Sequence, residues 1–138
     1  MKLMLSLMKT ETYPVQAEQH IVGVRQAVRR LAVEIKLSLV DQTKIVTAAS
    51  ELARNLLVYG GGGEAILEVI MENNRQGLRV HFIDQGPGIP DLDLALRDGY
   101  TSGGGMGLGL GGAKRLVNEF NLQSAPGKGT HVTITRWR

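Results

Sequence analysis

The sequence predicts an α/β fold, in which a mostly antiparallel, mixed sheet carries about three helices on one face. Two early segments place apolar side chains at the spacing of amphipathic helices. Two later stretches are each typical of a pair of strands joined by a turn. The predicted order is β-α-α-β-β-loop-α-β-β. A chain of 138 residues without a repeat or linker then predicts one domain over 1–138.

The first half of the chain supplies a strand and two helices. Lys2–Thr12 alternates loosely and predicts an edge strand. Gln16–Leu37 has the apolar periodicity of an amphipathic helix. Asp41 is the predicted N-cap of a second helix that runs to about Tyr59. The run Gly60–Gly63 stops that helix.

The second half supplies two hairpins and a third helix. Segments 64–73 and 77–84 predict strands that are joined through Asn73–Gly77. After a Gly/Pro turn and a glycine-rich segment, a helix is expected from about Met106 to Phe120. The end of the chain predicts a strand, a turn at Pro126–Gly129 and a closing strand.

Composition limits the classes of function. The chain is 43% hydrophobic and 4% aromatic, with a net charge of +3, so it offers few rings on which bases could stack and we expect no nucleic-acid partner. Cys is absent, which excludes disulfides and thiolate metal sites and is compatible with a reducing cytosol. The opening "MKLMLSLMKTE" suits a strand better than a signal peptide, and no apolar run approaches the roughly 20 residues of a membrane span.

Glu51 and Asn55 form the first candidate site. They lie one turn apart on the second predicted helix, on the shoulder between its apolar and solvent faces. A carboxylate there could accept a proton from a nucleophile, and an amide oxygen could ligate Mg²⁺. The alternative is an ordinary polar surface, with Glu51 paired to Arg54.

Asp84 leads the second candidate site, "DQGPGIP", at the end of an apolar strand. A carboxylate there can accept a hydrogen bond from an exocyclic amino group such as that of adenine. Gly86 and Gly88 allow a flat ring to lie against the backbone. The alternative is a plain exit from a strand into a turn, where Asp, Gly and Pro are all common.

The third candidate site is the glycine-rich segment. Eight of the fourteen residues from Gly99 to Gly112 are glycine, and a predicted helix follows. Unpaired N–H groups at a helix start bind anions such as phosphate. "APGKGT" lacks the first glycine of a P-loop, and the glycines come too late for a Rossmann fingerprint. A flexible linker is the alternative.

Together the motifs resemble a known superfamily. Glu-x-x-x-Asn on a helix, Asp-x-Gly-x-Gly after a strand, Gly-x-Gly-x-Gly before a helix and the final Gly-x-Gly-Thr follow one another in this order. The order resembles the ATPase/kinase superfamily of gyrase, Hsp90, histidine kinases and MutL, whose sandwich is the Bergerat fold. Within it, "TAASELARNLL" and "SAPGKGTHVTI" are most similar to the small bacterial serine/threonine kinases of the anti-sigma type.

The resemblance implies an ATP site with distributed roles. Asp84 would bind the adenine amino group, Gly86 and Gly88 would frame the ring, and Thr130 would support that contact.

The same resemblance implies that Asn55 holds Mg²⁺ and that Glu51 acts as the catalytic base or positions it. It places a phosphate lid at about 91–109, and Arg97 is a candidate phosphate contact. The run Gly60–Gly63 departs from the family, which carries a charged residue there. The lid glycines expected to bind ATP are Gly103, Gly104, Gly105, Gly107 and Gly109.

The activity implied is that of a cytoplasmic ATP-dependent protein kinase in a bacterial partner-switching system. It would phosphorylate Ser or Thr of a STAS-domain antagonist protein, with a phosphatase or a sigma-factor regulator as a possible further partner. The alternative is an ATP-binding regulatory module that sequesters its partner. Gyrase or Hsp90 roles would need further domains.

The three histidines are expected to be structural or solvated. Histidine kinase activity needs an acceptor histidine on a dimerisation helix pair, and the context of His20 does not fit one. His81 and His131 fall in separate predicted strands, and no two of the three have the sequence spacing of metal ligands. Arg25, Arg29 and Arg30 predict a basic helix face, either solvated or facing a partner.

Overall fold

The structure is a computed structural model that describes residues 5–88 and 110–138. Within these residues the elements follow one another in the predicted order. Among the described helices, none has the length and apolar character needed to cross a bilayer. The elements are β1 (Leu5–Val15), α1 (Glu18–Glu34), α2 (Leu39–Val58), β2 (Gly63–Glu72), β3 (Arg75–Asp84), α3 (Leu110–Arg115), β4 (Glu119–Ser124) and β5 (Thr130–Trp137).

The strands form one five-stranded sheet in the order β1-β2-β3-β5-β4. All four pairings between these strands are antiparallel. β1 lies at one edge, as its loose alternation predicts, and β4 lies at the other. The predicted antiparallel α/β sandwich is therefore confirmed.

The helices pack on one face of this sheet. Leu78, Val80 and Phe82 alternate along β3 and are buried in the same cluster as Val28 of α1 and Ile45 of α2. Alternate strand residues point to opposite faces, so this cluster marks the covered face. Leu110 and Ala113 of α3 also lie in the cluster, which places three helices on that face.

α1 ends earlier than the predicted Gln16–Leu37. The backbone N–H of Lys36 donates to Val33 O (2.9 Å), and that of Leu37 donates to Ala32 O (3.0 Å). These are the two hydrogen bonds of a Schellman motif, in which the residue after the C-cap takes the left-handed conformation. Lys36 does so with φ of 64°, and the helix ends at Glu34.

The predicted N-cap of α2 is wrong. The side chain of Ser38, not that of Asp41, caps the helix, because Ser38 Oγ accepts from the backbone N–H of Asp41 at 3.1 Å. Leu39 and Val40 in the first turn are apolar but 71% and 62% exposed, so they lie outside the buried stripe of the helix. The apolar periodicity therefore does not show where α2 begins.

The first hairpin is tighter than predicted. The turn is Asn73–Asn74, with φ of 53° and 62°, rather than the longer Asn73–Gly77. Two successive left-handed residues are the mark of a two-residue type I′ hairpin, which Asn tolerates well. Gly77 lies within β3 instead, where an added Cβ would approach the ring of Trp137 to 2.6 Å.

The third helix is shorter than the predicted Met106–Phe120. It ends at Arg115, because the backbone N–H of Asn118 donates to Thr135 O (2.9 Å) and pairing with β5 begins there. Phe120 therefore belongs to β4. The first predicted turn, 106–109, lies outside the described residues.

Ion pairs tie the helices to the sheet. Arg30 of α1 donates to Glu11 Oε1 of β1 at 2.5 Å, and the hydroxyl of Tyr13 donates to the same oxygen. The hydrogen bond from Arg30, and next that from Tyr13, lower the pKa of Glu11. Arg136 of β5 donates to Asp41 Oδ1 of α2 at 2.6 Å, so the closing strand is anchored to the second helix.

A matched pair of valines on α1 tests the packing. Val28 is fully buried, whereas Val33 is 55% exposed. Both changes to Ala gain the same helix propensity, so their difference isolates burial. We expect Val28→Ala to lower the free energy of unfolding by about 2 kcal/mol and Val33→Ala to change it by less than about 0.5 kcal/mol. Urea unfolding measures both, and equal effects would contradict the described core.

Candidate nucleotide-binding site

An open cavity of about 490 Å³ lies between the end of α2 and the ends of β3 and β5. Small-molecule sites are concave and mostly apolar, with a few polar groups that fix the orientation of the ligand. Most of its lining is apolar, and a few polar side chains face the same space. The described lining residues are Leu52, Asn55, Leu56, Tyr59, Gly60, Phe82, Asp84, Pro87, Gly88, Leu110, Thr130 and Val132.

Asp84 is the carboxylate of this cavity. It is the last residue of β3 and is only 8% exposed. Its Oδ1 accepts a hydrogen bond from the backbone N–H of Gly86 at 2.8 Å, which fixes the side chain at the strand end. A buried carboxylate held in this way presents an acceptor to a ligand that enters the cavity.

Gly60 lies directly against that carboxylate. A Cβ at Gly60 would come within 2.5 Å of Asp84 Cγ and Oδ2 and within 2.7 Å of Leu56 O. The end of α2 can therefore reach Asp84 only because residue 60 has no side chain. From the sequence, Gly60–Gly63 is predicted only to stop the helix; the run of four glycines is the one signal of this close contact.

Gly86 and Gly88 hold the turn after Asp84 close to its neighbours. A Cβ at Gly86 would lie 2.7 Å from Gly60 O, so two backbone segments touch there. Gly88 has φ of +78°, and a Cβ on it would meet Ala125 O at 2.0 Å. The backbone N–H of Gly127 also donates to Pro87 O at 2.7 Å. Gly88 lines the cavity, and Gly86 positions the carboxylate.

Thr130 faces Asp84 across paired strands, since the two residues are register partners of β5 and β3. Ser124 Oγ donates to Gly129 O at 2.8 Å, and Thr130 Oγ1 lies 2.9 Å from Ser124 Oγ. Either hydroxyl of this pair can donate to the other, and the contact orients the Thr130 side chain. Thr130 therefore adds a second polar group to the cavity wall.

Asn55 and Glu51 occupy different environments. Asn55 is half-buried and lines the cavity from the last turns of α2. Glu51 lies one turn earlier, is exposed and is not among the lining residues. The amide of this helix shoulder thus faces the cavity, and its carboxylate is exposed outside the lining.

The described structure brings together four predicted site residues from three places in the chain: Asn55, Asp84, Gly88 and Thr130. The predicted lid glycines Gly103, Gly104, Gly105, Gly107 and Gly109, and Arg97, lie outside the described residues. Tyr59 and Leu110 line the cavity although sequence analysis did not select them. Both are ordinary helix-end residues by pattern, so their only signal is the three-dimensional fold.

A five-stranded antiparallel sheet with helices on one face is the fold expected for a nucleotide-binding ATPase domain. The model of the family described as histidine kinase-, DNA gyrase B- and HSP90-like ATPase matches residues 40–137. The chain belongs to this family.

The chain is similar to the serine/threonine-protein kinase RsbT of Bacillus subtilis (strain 168), with 43% identity over 123 residues that cover 89% of this chain and 92% of RsbT. It is also 26% identical over 119 residues to the anti-sigma F factor of Thermoanaerobacter sp. (strain X514), covering 82% of each chain. The crystal structure of the RsbU and RsbW domains of a Mycobacterium tuberculosis protein shares the fold, with a TM-score of 0.64 and 21% identity over 95% of this chain and 33% of that one.

A pair of glycine substitutions tests the approach of Gly60 to Asp84. We expect Gly60→Ala to lower the free energy of unfolding by about 1–3 kcal/mol, because the new methyl group meets the carboxylate and a backbone carbonyl. Gly23 lies in α1 with open space around it. Gly23→Ala should instead raise the free energy of unfolding by about 0.5–1 kcal/mol. Urea unfolding compares them, and a stabilised Gly60→Ala variant would contradict the contact.

Proposed function

We propose that the chain is an ATP-dependent serine/threonine protein kinase of a bacterial partner-switching system, acting on a STAS-domain antagonist protein. The observation that carries the proposal is that Asn55, Asp84 and Thr130 line one cavity whose remaining walls are mostly apolar. The similarity to RsbT, whose name describes a serine/threonine-protein kinase, supports the choice of reaction.

Adenine fits the chemistry of the cavity. A flat apolar ring would lie among the apolar lining residues such as Leu56, Phe82 and Val132, while its amino group would donate to Asp84. The Gly60 backbone lies where a side chain would crowd the Asp84 carboxylate. The site therefore recognises an amino group on a purine, which guanine lacks at the equivalent position.

Asn55 is the residue proposed to hold Mg²⁺, because an amide oxygen is a hard ligand of the kind this ion prefers. When bound, Mg²⁺ would neutralise charge on the phosphates. Glu51 lies one turn before Asn55 on the same helix and is exposed, where a protein substrate could reach it. Residues 91–109 remain the proposed phosphate lid.

In the proposed reaction the Glu51 carboxylate accepts the proton of the substrate hydroxyl. The hydroxyl oxygen forms a bond to the γ-phosphorus, the bond from that phosphorus to the β–γ bridging oxygen breaks, and ADP leaves. Positioning and charge neutralisation supply most of the catalysis in reactions of this type, so few protein side chains are required.

A second candidate function is sequestration of a partner without essential phosphoryl transfer. The similarity to an anti-sigma F factor favours it. A phosphatase or a sigma-factor regulator would then be the partner held. In either case we place the protein in the cytoplasm, where ATP and such partners occur.

Phosphoryl transfer from γ-labelled ATP to a STAS-domain protein separates the two candidates. We expect transfer to Ser or Thr, and we expect Glu51→Gln to lower kcat by about 10²- to 10⁴-fold while leaving ATP affinity unchanged. Glu18→Gln is the matched control, since Glu18 is an exposed carboxylate on α1. Tight ATP-dependent complex formation without any transfer would establish the sequestering role.

Asp84→Asn tests adenine recognition. We expect ATP affinity to fall by about 10- to 100-fold, because a charged acceptor becomes a neutral amide and such hydrogen bonds contribute about 1.5–3 kcal/mol. Discrimination against GTP should fall with it. Glu64→Gln makes the same chemical change at an exposed position of β2 and should bind as the wild type does. Calorimetric titration gives both affinities; an Asp84→Asn variant with full ATP affinity would reject the assignment.

A further inference from the structure

A cluster of polar side chains lies on the face of the sheet opposite the helices. His81 follows the alternation of β3 away from the buried Val80 and Phe82, and it is the register partner of Thr133 on β5. His131 lies diagonally from His81 across the same pair of strands. Residues on one face of paired strands are in contact, so strand pairing joins histidines that are fifty positions apart in the sequence.

Three donor atoms in this cluster are mutually close. His81 Nδ1 is 3.1 Å from His131 Nε2, and Thr133 Oγ1 is 3.2 Å from the first nitrogen and 3.3 Å from the second. Tetrahedral ligands about 2.0–2.1 Å from a zinc ion lie roughly 3.3–3.4 Å from one another. The triangle of atoms therefore already has nearly the spacing of three ligands around one ion.

Glu68 sets the tautomer of His81. Its Oε1 lies 2.7 Å from His81 Nε2, so that nitrogen carries the proton and donates it to the carboxylate. His81 Nδ1 then presents a lone pair toward His131. A carboxylate behind a histidine is the usual second partner of a metal-ligating imidazole, which it orients and makes more basic.

His131 is also suited to ligation. Its Nε2 is the ring nitrogen that faces both His81 Nδ1 and Thr133 Oγ1. The nearby Arg79 is engaged elsewhere, because its Nε donates to Thr135 Oγ1 at 3.0 Å and its guanidinium pairs with Glu119 at 3.6 Å. Its positive charge is thus partly balanced beside the histidine pair.

We propose that His81 and His131 bind a divalent transition-metal ion, Zn²⁺ or Cu²⁺, with the Thr133 hydroxyl as a third donor and Glu68 orienting His81. Imidazole ligands favour these ions over Mg²⁺, which takes oxygen ligands. Within residues 5–88 and 110–138, no three His, Cys, Asp or Glu side chains converge on one point. Water would complete the coordination, so the ion would be exchangeable. The site is separate from the proposed nucleotide cavity.

Titration of the untagged chain with Zn²⁺ alone, by calorimetry, tests the site. We expect saturable binding of one ion per chain, unaffected by excess Mg²⁺. The double variant His81→Gln/His131→Gln should lose it, and Glu68→Gln should weaken it by about 10- to 100-fold. His20→Gln is the matched control, because His20 lies on α1 and should leave binding unchanged. Circular dichroism and thermal unfolding without metal check that each variant folds.

Cu²⁺ gives an independent reading on the wild-type chain. Electron paramagnetic resonance should show coupling to two nitrogens, and the single variant His131→Gln should show one. This measurement decides the matter even if the double variant does not fold. The proposal is overturned if the wild type shows no saturable Zn²⁺ binding, or if a folded variant without both imidazoles binds as the wild type does.

Discussion

The alternation of side chains along β3 decides where both sites lie. Val80, Phe82 and Asp84 point toward the helices, and His81, between the first two, points away from them. Because one face of the strand must be buried, its register cannot slip by one residue without moving an entire set of apolar side chains into solvent. The same constraint brings Asp84 to the cavity and His81 to the opposite face. One central strand therefore carries two chemically different sites without mixing them.

Close backbone packing gives Asp84 its setting. Gly60 and Gly129 each come so near to the end of β3 that a side chain would collide with Asp84, and a side chain at Gly86 would collide with the Gly60 backbone. One side of Asp84 therefore contacts backbone, and the other side faces the cavity. Cavity walls built from main chain change little with side-chain rotamers, so the acceptor is held before a ligand arrives. The glycines thus act through their small size as much as through their conformational freedom.

Sequence periodicity predicts the elements well, because burial of one face is a local pattern. The buried stripe of α2 and the alternation of β3 follow directly from it. The predicted element boundaries are wrong where local geometry outweighs the apolar pattern. Examples are the Ser38 cap and the left-handed turn Asn73–Asn74. The convergence of Asn55 and Asp84 is predictable only from motifs. The contacts of Gly60 and of the histidine pair depend on register and close approach, which no single-sequence pattern contains.

The charge of the cavity also fixes which way a nucleotide must lie in the proposed complex. Asp84 is a buried acid among apolar side chains, so phosphate oxygens placed beside it would be repelled in a medium that screens charge poorly. In this complex the adenine ring would lie at the Asp84 end of the cavity, and the phosphates would extend past Asn55 toward solvent. Glu51 lies one turn from Asn55 on the same helix and is exposed. A catalytic base has to accept the proton of the substrate hydroxyl outside the cavity, where the γ-phosphate would emerge. The exposure of Glu51 fits such a position.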